Sequence, residues 1–147
     1  MPEIPPRVVI DTQIIMDWLV FADPHLIPLA EALESGQLEW IGSPAMLDEL
    51  RHVLGRGVAA DRLPDLARSE EAFVRLCRTI DAEPAPAVSL VCRDPDDQKF
   101  IDLAVAERAT WLLSRDKAVL ALRKRALAFG LSIATFETWH KSRVQPS

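Results

Sequence analysis

Short apolar segments alternate with helical segments along the chain, and this alternation constrains the fold more than any other feature. Each apolar segment is only a few residues long and rich in Val, Ile, Leu or Trp, which is typical of strands buried on both faces. The predicted strands are 7–11, 38–42, 88–92, 111–114 and 131–134. Strands separated by helices predict an α/β protein, a three-layer α/β/α sandwich around a mainly parallel sheet of about five short strands.

Helices are predicted between these strands from apolar periodicity and from capping residues. Ser43 caps one of them, with Pro44 at its first helical position. Residues 61–82 are predicted as helical segments split by Pro64, with Ser69 capping the second. The other predicted helices are 12–21, 28–35, 44–54, 95–108, 117–129 ending at Gly130, and a short one from about Phe136.

Length and composition set the class of protein. The 147 residues predict a single domain over 1–147, and 49% hydrophobic with 27% charged residues is the balance of a globular chain. No uncharged apolar run approaches the roughly 18 residues that a membrane span needs. Cys77 and Cys92 are too few for a disulfide framework. We therefore expect a cytoplasmic protein that does not enter a membrane.

Charge is divided unevenly along the chain. The net charge is −5, but from residue 113 onward seven Lys and Arg oppose two Asp and Glu, so that part carries +5 and the rest −10. A dedicated DNA-coating protein would be basic overall. The division fits an acidic metal site flanked by a surface that attracts phosphate, but charge alone favours a solvated basic helix face.

Four acidic residues stand where a parallel sheet would gather them. Asp11 ends the first predicted strand and Asp116 follows the fourth, although each could simply cap the next helix. Glu49 lies on the flank of the apolar face of helix 44–54. Asp97 shares a helix face with Phe100, although Asp94 as a cap before Pro95 would also favour acids there.

These four carboxylates would meet at one end of the sheet, because sites in open α/β sheets form beyond the carboxyl ends of the strands. Like charges so close would destabilise folding unless a divalent cation neutralised them. Oxygen ligands of this kind suit Mg²⁺ or Mn²⁺.

The motifs around these acids resemble those of the PIN-domain family, in particular its VapC-like branch of toxin components from toxin–antitoxin pairs. They are V-V-I-D-T around Asp11, S-P-A-M-L-D-E-L around Glu49, R-D-P-D-D-Q-K-F-I-D-L-A around Asp97 and W-L-L-S-R-D-K around Asp116. The resemblance runs from about Val8 to Trp139 in the expected order. One departure is Gln13, where the family usually has Asn.

The resemblance implies a PIN-like fold and a ribonuclease dependent on Mg²⁺ or Mn²⁺, which hydrolyses phosphodiester bonds. It implies that Asp11, Asp97 and Asp116 bind the metal and that Glu49 does so directly or through water. Thr12 and Ser114 would orient water or phosphate, and Arg115 and Lys117 would hold the RNA backbone. It further implies a small antitoxin partner and a homodimer.

Two other functions are weighed against the ribonuclease. Gln13 and the negative net charge favour a catalytically weak or inactive PIN-like module that binds RNA or protein. Phosphoryl transfer on small molecules, as in haloacid-dehalogenase-like phosphatases, requires a second Asp beside Asp11 or a suitably placed Lys. The segment Asp11-Thr12-Gln13 lacks that second Asp, so this function ranks last.

Overall fold

A five-stranded parallel sheet forms the centre of the computed structural model, which describes residues 4–55, 65–81, 84–87 and 89–144. The strands are β1 (Arg7–Ile10), β2 (Glu39–Gly42), β3 (Cys77–Thr79), β4 (Trp111–Leu113) and β5 (Ser132–Ala134). Their order is β3-β2-β1-β4-β5, and every adjacent pair is parallel. This arrangement confirms the predicted fold class, and it places β1 and β4 side by side at the middle of the sheet.

Helices cover both faces of the sheet. The α-helices are α1 (Thr12–Ile15), α2 (Ile27–Glu34), α3 (Pro44–Gly55), α4 (Asp65–Leu76), α5 (Gln98–Ala106), α6 (Lys117–Leu120), α7 (Arg123–Ala126) and α8 (Phe136–Val144). Short 3₁₀ turns cover Pro24–Leu26, Pro95–Asp97 and Leu127–Phe129. Helix α1 continues as a π-helix over Met16–Val20, where the Phe21 amide bonds to the Met16 carbonyl.

Two hydrophobic cores lie on opposite sides of the sheet because successive strand residues face opposite ways. Val8 and Ile10 of β1 belong to the core shared with α1, α2, α4 and α8. Val9, between them, belongs to the core shared with α5, α6 and α7. Helix α3 contributes Leu50 to the first core and Met46 to the second. The sandwich therefore has the three layers that the alternation predicts.

The third predicted strand is wrong. Val88 lies outside the described residues, and 89–92 form no strand. Side chains of α5 hold this segment instead: Gln98 accepts from the Cys92 amide at 2.6 Å and donates to the Leu90 carbonyl at 2.9 Å. Because side chains satisfy these backbone groups, the segment needs no sheet partner.

The third strand of the sheet comes from residues that were predicted as helical. Cys77–Thr79 pairs with β2, with Cys77 opposite Trp40. Gly42 makes room for this pairing, since a Cβ atom there would lie 2.8 Å from the Cys77 Sγ. Ser69 does not cap a helix: it is buried within α4, while 61–64 lie outside the described residues.

The predicted helix 117–129 is also divided, although it ends as expected at Gly130, which has a φ of 72°. Helices α6 and α7 are separated by a turn at Ala121 and Leu122. The Leu122 amide bonds to the Val119 carbonyl three residues earlier, and the Leu122 side chain is buried in the second core. In the described part of the chain, no helix is long and apolar enough to cross a membrane.

Candidate metal centre and active site

A cavity of about 500 Å³ opens beyond the carboxyl ends of β1 and β4. We call it the acidic cavity, because the four acids singled out in the sequence all line it. Its lining residues are Asp11, Thr12, Gln13, Met16, Phe21, Glu49, Val53, Asp97, Phe100, Arg115 and Asp116. The topology therefore gathers side chains that lie as far as 105 positions apart in sequence, from Asp11 to Asp116.

Asp11 follows β1 directly, and both of its carboxylate oxygens have partners. One accepts a hydrogen bond from the Ile14 amide at 3.0 Å, so Asp11 caps α1. The other accepts from the Ser114 hydroxyl at 2.5 Å. Burial raises the pKa of Asp11, and hydrogen bonds from Ser114 and Ile14 oppose that rise.

Asp116 also serves as a helix cap, since it accepts from the Ala118 amide at 2.8 Å at the start of α6. Its own amide donates to the Ser114 hydroxyl oxygen at 3.0 Å. Asp11 and Asp116 can therefore each cap a helix and contribute a carboxylate to the cavity at the same time. In each case a cap fixes the carboxylate while the residue still lines the acidic cavity.

Asp97 differs from these two because one of its oxygens, Oδ2, is buried without a hydrogen-bond partner. Burial raises the pKa of Asp97 to about 7, with further contributions from the negative charges of Asp116 and Asp94. A buried carboxylate oxygen without a donor is costly unless the group is protonated or neutralised by a cation. Asp97 is therefore the position at which this cavity most needs a proton or an ion.

Asp94 completes a group that sequence reasoning interpreted only as a cap. It does cap the 3₁₀ turn, accepting from the Asp96 amide at 3.0 Å. Asp94, Asp97 and Asp116 each also offer a carboxylate oxygen, and these oxygens lie within 4.8 Å of one another. The available signal was the spacing of three residues between Asp94 and Asp97, which a 3₁₀ turn brings to the same side.

Glu49 is held at the edge of the acidic cavity by two contacts. Its Oε2 accepts from the Thr12 hydroxyl at 2.6 Å, and its Oε1 is ion-paired with the Lys99 ammonium at 3.2 Å. Glu49 is not part of the close group formed by Asp94, Asp97 and Asp116. The structure thus brings Glu49 to the predicted cavity, with both of its oxygens already engaged.

The family of the chain follows from a comparison of its sequence with known proteins. Residues 7–118 match the sequence model of the PIN domain, and this range spans most of the chain and all four acids of the acidic cavity. The chain belongs to the PIN domain family. No curated protein matches the chain.

Membership in the PIN domain family indicates what chemistry the acidic cavity can support. PIN domains are in general nucleases that act on RNA, and they typically use divalent metal ions. The donor set of this PIN domain fits such an ion, because Asp97 offers an unpartnered oxygen beside Asp94 and Asp116. Carboxylate oxygens are the ligands that hard divalent cations prefer.

The remaining predicted site residues of this PIN domain occupy different places. Arg115 lines the cavity, and its guanidinium is ion-paired with Asp17 at 3.3 Å. Ser114 is fully buried beneath Asp11, so its hydroxyl reaches the cavity only through that carboxylate. Lys117 is exposed at the start of α6 and is not among the residues that line the cavity.

Gln13, where the family usually has Asn, also lines the acidic cavity. Its amide nitrogen donates to the Asp17 carboxylate at 3.3 Å, one helical turn away. The longer stem of Gln therefore places the amide against Asp17, which also binds Arg115. These three residues form a polar contact at the rim of the cavity.

Proposed function

We propose that this PIN domain is a divalent-metal-dependent ribonuclease, and that it acts in the cytoplasm as the toxin of a toxin–antitoxin pair. The observation that carries the proposal is the unpartnered oxygen of Asp97 beside Asp94 and Asp116. Carboxylates without a metal ion repel a phosphodiester. An acidic centre of this kind can act on one only when it holds a divalent ion, which attracts the phosphate.

Asp11, Asp97 and Asp116 are the proposed ligands, and Asp94 joins them on the evidence of its position. When bound, Mg²⁺ or Mn²⁺ would supply Lewis-acid stabilisation of the charge that develops on the phosphate during hydrolysis. Ser114 fixes the carboxylate of Asp11, and Thr12 fixes that of Glu49. Arg115 at the rim, with Lys117 nearby in sequence, is proposed to attract the RNA backbone.

Cleavage of a labelled single-stranded RNA tests this proposal. We expect cleavage with Mg²⁺ or Mn²⁺, and loss of cleavage with EDTA and in the Asp97→Asn variant. Asp96→Asn is the matched control, because Asp96 is an exposed neighbour that does not line the acidic cavity. Cleavage that persists in Asp97→Asn, or that resists EDTA, would contradict the proposed site.

The contact between Gln13 and Asp17 favours a second candidate, a catalytically weak or inactive module that binds RNA or protein. In this case the cavity would still bind Mn²⁺ through Asp97 and Asp116, and no RNA would be cut. Calorimetry of Mn²⁺ binding beside the cleavage assay separates the two candidates. Binding without cleavage supports the module, and binding with cleavage supports the nuclease.

Two protein partners belong to the same proposal. A small antitoxin would silence the nuclease by covering the acidic cavity, and it would do so with cationic side chains that match the carboxylates.

A homodimer would cover apolar surface near the π-helix, where Trp18 and Leu19 are half-buried and Ile27 of α2 is 52% exposed. Light scattering on the purified chain tests the dimer, and a monomer at all concentrations would exclude it.

A further inference from the structure

Lys99 is a basic residue that contacts Glu49 at the edge of the acidic cavity. It is the second residue of α5, and its Nζ lies 3.2 Å from Glu49 Oε1. The ammonium also donates to the backbone carbonyl of Asp96 and lies 4.9 Å from the centre of the Phe100 ring. A carboxylate, a carbonyl and an aromatic ring together hold this charge in one place.

Glu49 is arranged to hold this ammonium. Thr12 donates to one of its oxygens at 2.6 Å, and Lys99 occupies the other. The close carboxylate group consists of Asp94, Asp97 and Asp116, without Glu49. Asp11 also lies outside this group, but its carboxylate accepts from the neutral Ile14 amide and Ser114 hydroxyl, whereas Glu49 already binds a cation, the Lys99 ammonium.

Lys99 also lies between two cavities. Glu49 lines the acidic cavity, whereas Lys99 lines a second cavity of about 340 Å³ beside the start of α3. Other residues that line this second cavity are Ser43, Pro44, Asp48, Asp81 and Asp102. The ion pair therefore joins one lining residue of each cavity, and Lys99 is the one basic residue among the described residues that line the second cavity.

We propose that Lys99 binds a phosphate of the RNA strand next to the one at the acidic centre, and that Glu49 and Thr12 are its positioning residues. This inference rests on the proposed ribonuclease function. An ammonium has three donors, and the bonds to Glu49 and to the Asp96 carbonyl leave one for a phosphate oxygen. The Lys99 side chain is 26% exposed, so a phosphate can reach it.

The first test is the cleavage of a fluorescent single-stranded RNA by Lys99→Gln in the presence of Mn²⁺. We expect KM to rise about tenfold with kcat nearly unchanged, because one charge-assisted contact to the strand is lost. The negative slope of log(kcat/KM) against log salt concentration should become shallower by about 0.7, the value for one phosphate contact on a single strand. Lys99→Arg should restore most of the affinity.

Lys141→Gln is the matched control, since Lys141 is an exposed lysine on α8 that lines neither cavity. It removes the same charge from the chain, and we expect KM and the salt slope to stay at the wild-type values. A salt slope that falls equally in Lys99→Gln and Lys141→Gln would show a general charge effect and would overturn the role of Lys99.

The second test measures Mn²⁺ binding by calorimetry, independently of cleavage. Asp97→Asn should lower Mn²⁺ affinity by about tenfold or more, whereas Glu49→Gln should lower it only a few-fold, by the loss of a neighbouring charge. Glu49→Gln should instead raise KM, because the ammonium is held less firmly, but by less than Lys99→Gln does, because the Lys99 charge remains. A loss of Mn²⁺ affinity in Glu49→Gln equal to that in Asp97→Asn would identify Glu49 as a direct ligand and overturn its positioning role.

The two proposals fail in different ways. If the wild type cleaves RNA and Lys99→Gln has an unchanged KM and salt slope, the role of Lys99 is wrong and the nuclease stands. If the wild type does not cleave, the ribonuclease is wrong, and the same RNA stays intact for anisotropy measurements with Mn²⁺. Weaker binding by Lys99→Gln would then still support the phosphate contact, and equal or absent binding by both proteins would overturn it.

Discussion

The Ser114 hydroxyl donates to the Asp11 carboxylate at 2.5 Å and accepts from the Asp116 amide at 3.0 Å. One buried side chain therefore connects the acid at the end of β1 with the acid that follows β4. Neighbouring parallel strands place these two ends together, and the hydroxyl fixes the spacing between them. The relative position of these two acids thus depends on Ser114, which does not itself line the acidic cavity.

We predict that Ser114→Ala destabilises the fold by about 1–3 kcal/mol, because it leaves a buried carboxylate oxygen and a backbone amide without their partner. The pKa of Asp11 should rise further, since the lost hydrogen bond stabilises the charged form. Urea denaturation gives the change in free energy of unfolding, and cleavage of RNA should fall with it. Ser89→Ala removes a hydroxyl at an exposed position; it is the control and should stay within about 0.5 kcal/mol of the wild type.

A second prediction concerns the pH dependence of stability in metal-free buffer. The pKa of Asp97 is about 7 in the folded protein against 3.8 for an ordinary Asp, so between these values the folded state holds a proton that the unfolded state lacks. The stability that Asp97 adds to the folded protein is therefore fully present below about pH 4 and is lost as the pH rises to about 7. Asn does not titrate, so Asp97→Asn does not lose stability in this way. The stability of Asp97→Asn relative to the wild type should rise from pH 4 to pH 7 and then level off.

Two controls accompany this measurement by urea denaturation. Asp96→Asn changes an exposed carboxylate next to Asp97 and should follow the wild type across the pH range. Mn²⁺ at pH 7 should stabilise the wild type by about 2.7 kcal/mol at one hundred times its Kd, and at the same concentration it should stabilise Asp97→Asn by no more than about 1.4 kcal/mol. A constant difference between wild type and Asp97→Asn from pH 4 to pH 7 would contradict the raised pKa.

The positions of the acids could be predicted from the sequence because they depend on local pattern and on topology. The run Val8-Val9-Ile10 predicts a strand, and an Asp directly after a central strand lies at the edge where sites form. Periodicity places Glu49 on the flank of α3 and Asp97 on the side of Phe100, although Asp97 ends the 3₁₀ turn before α5 instead of lying within the predicted helix. For Asp11 and Asp116 the sequence offers a helix cap and a site residue as alternatives, whereas in the structure both residues cap a helix and also line the acidic cavity.

The errors arose where tertiary contacts override local pattern. The segment that includes Leu90 and Cys92 is apolar enough for a strand, but Gln98 binds its backbone groups from α5. The pairing of Cys77–Thr79 with β2 depends on a close approach at Gly42 that no local signal reveals. The contact between Glu49 and Lys99 joins α3 to α5, and helix periodicity does not specify which long side chains meet.

The close approach of β3 to β2 gives a prediction about Gly42. A Cβ atom at this position would lie 2.8 Å from the Cys77 Sγ and 3.4 Å from the Phe73 ring. We expect Gly42→Ala to destabilise the fold by about 1–3 kcal/mol, the usual cost of overpacking a core. Combining it with Cys77→Ala should cost less than the sum of the two single changes, because the sulfur that clashes is gone. Strict additivity in urea denaturation would contradict the clash.

The last prediction concerns Gln98, which joins α5 to the segment that precedes it. Its amide nitrogen donates to the Leu90 carbonyl and to Asp102, each at 2.9 Å, and its amide oxygen accepts from the Cys92 amide. Gln98→Glu keeps the acceptor for Cys92 but loses both donors and places a carboxylate against two oxygens. We expect a loss of about 2–4 kcal/mol in the free energy of unfolding, since buried polar groups lose their partners.

Hydrogen exchange and a control variant make this prediction specific. Exchange of amides in 89–92 should accelerate in Gln98→Glu, with the Cys92 amide affected least because its acceptor remains. Gln37→Glu is the control in an exposed turn: the Gln37 amide oxygen accepts from Arg143, so the new carboxylate keeps its partner and should shift stability by no more than about 0.5 kcal/mol. Unchanged exchange in 89–92 would show that Gln98 does not hold this part of the chain.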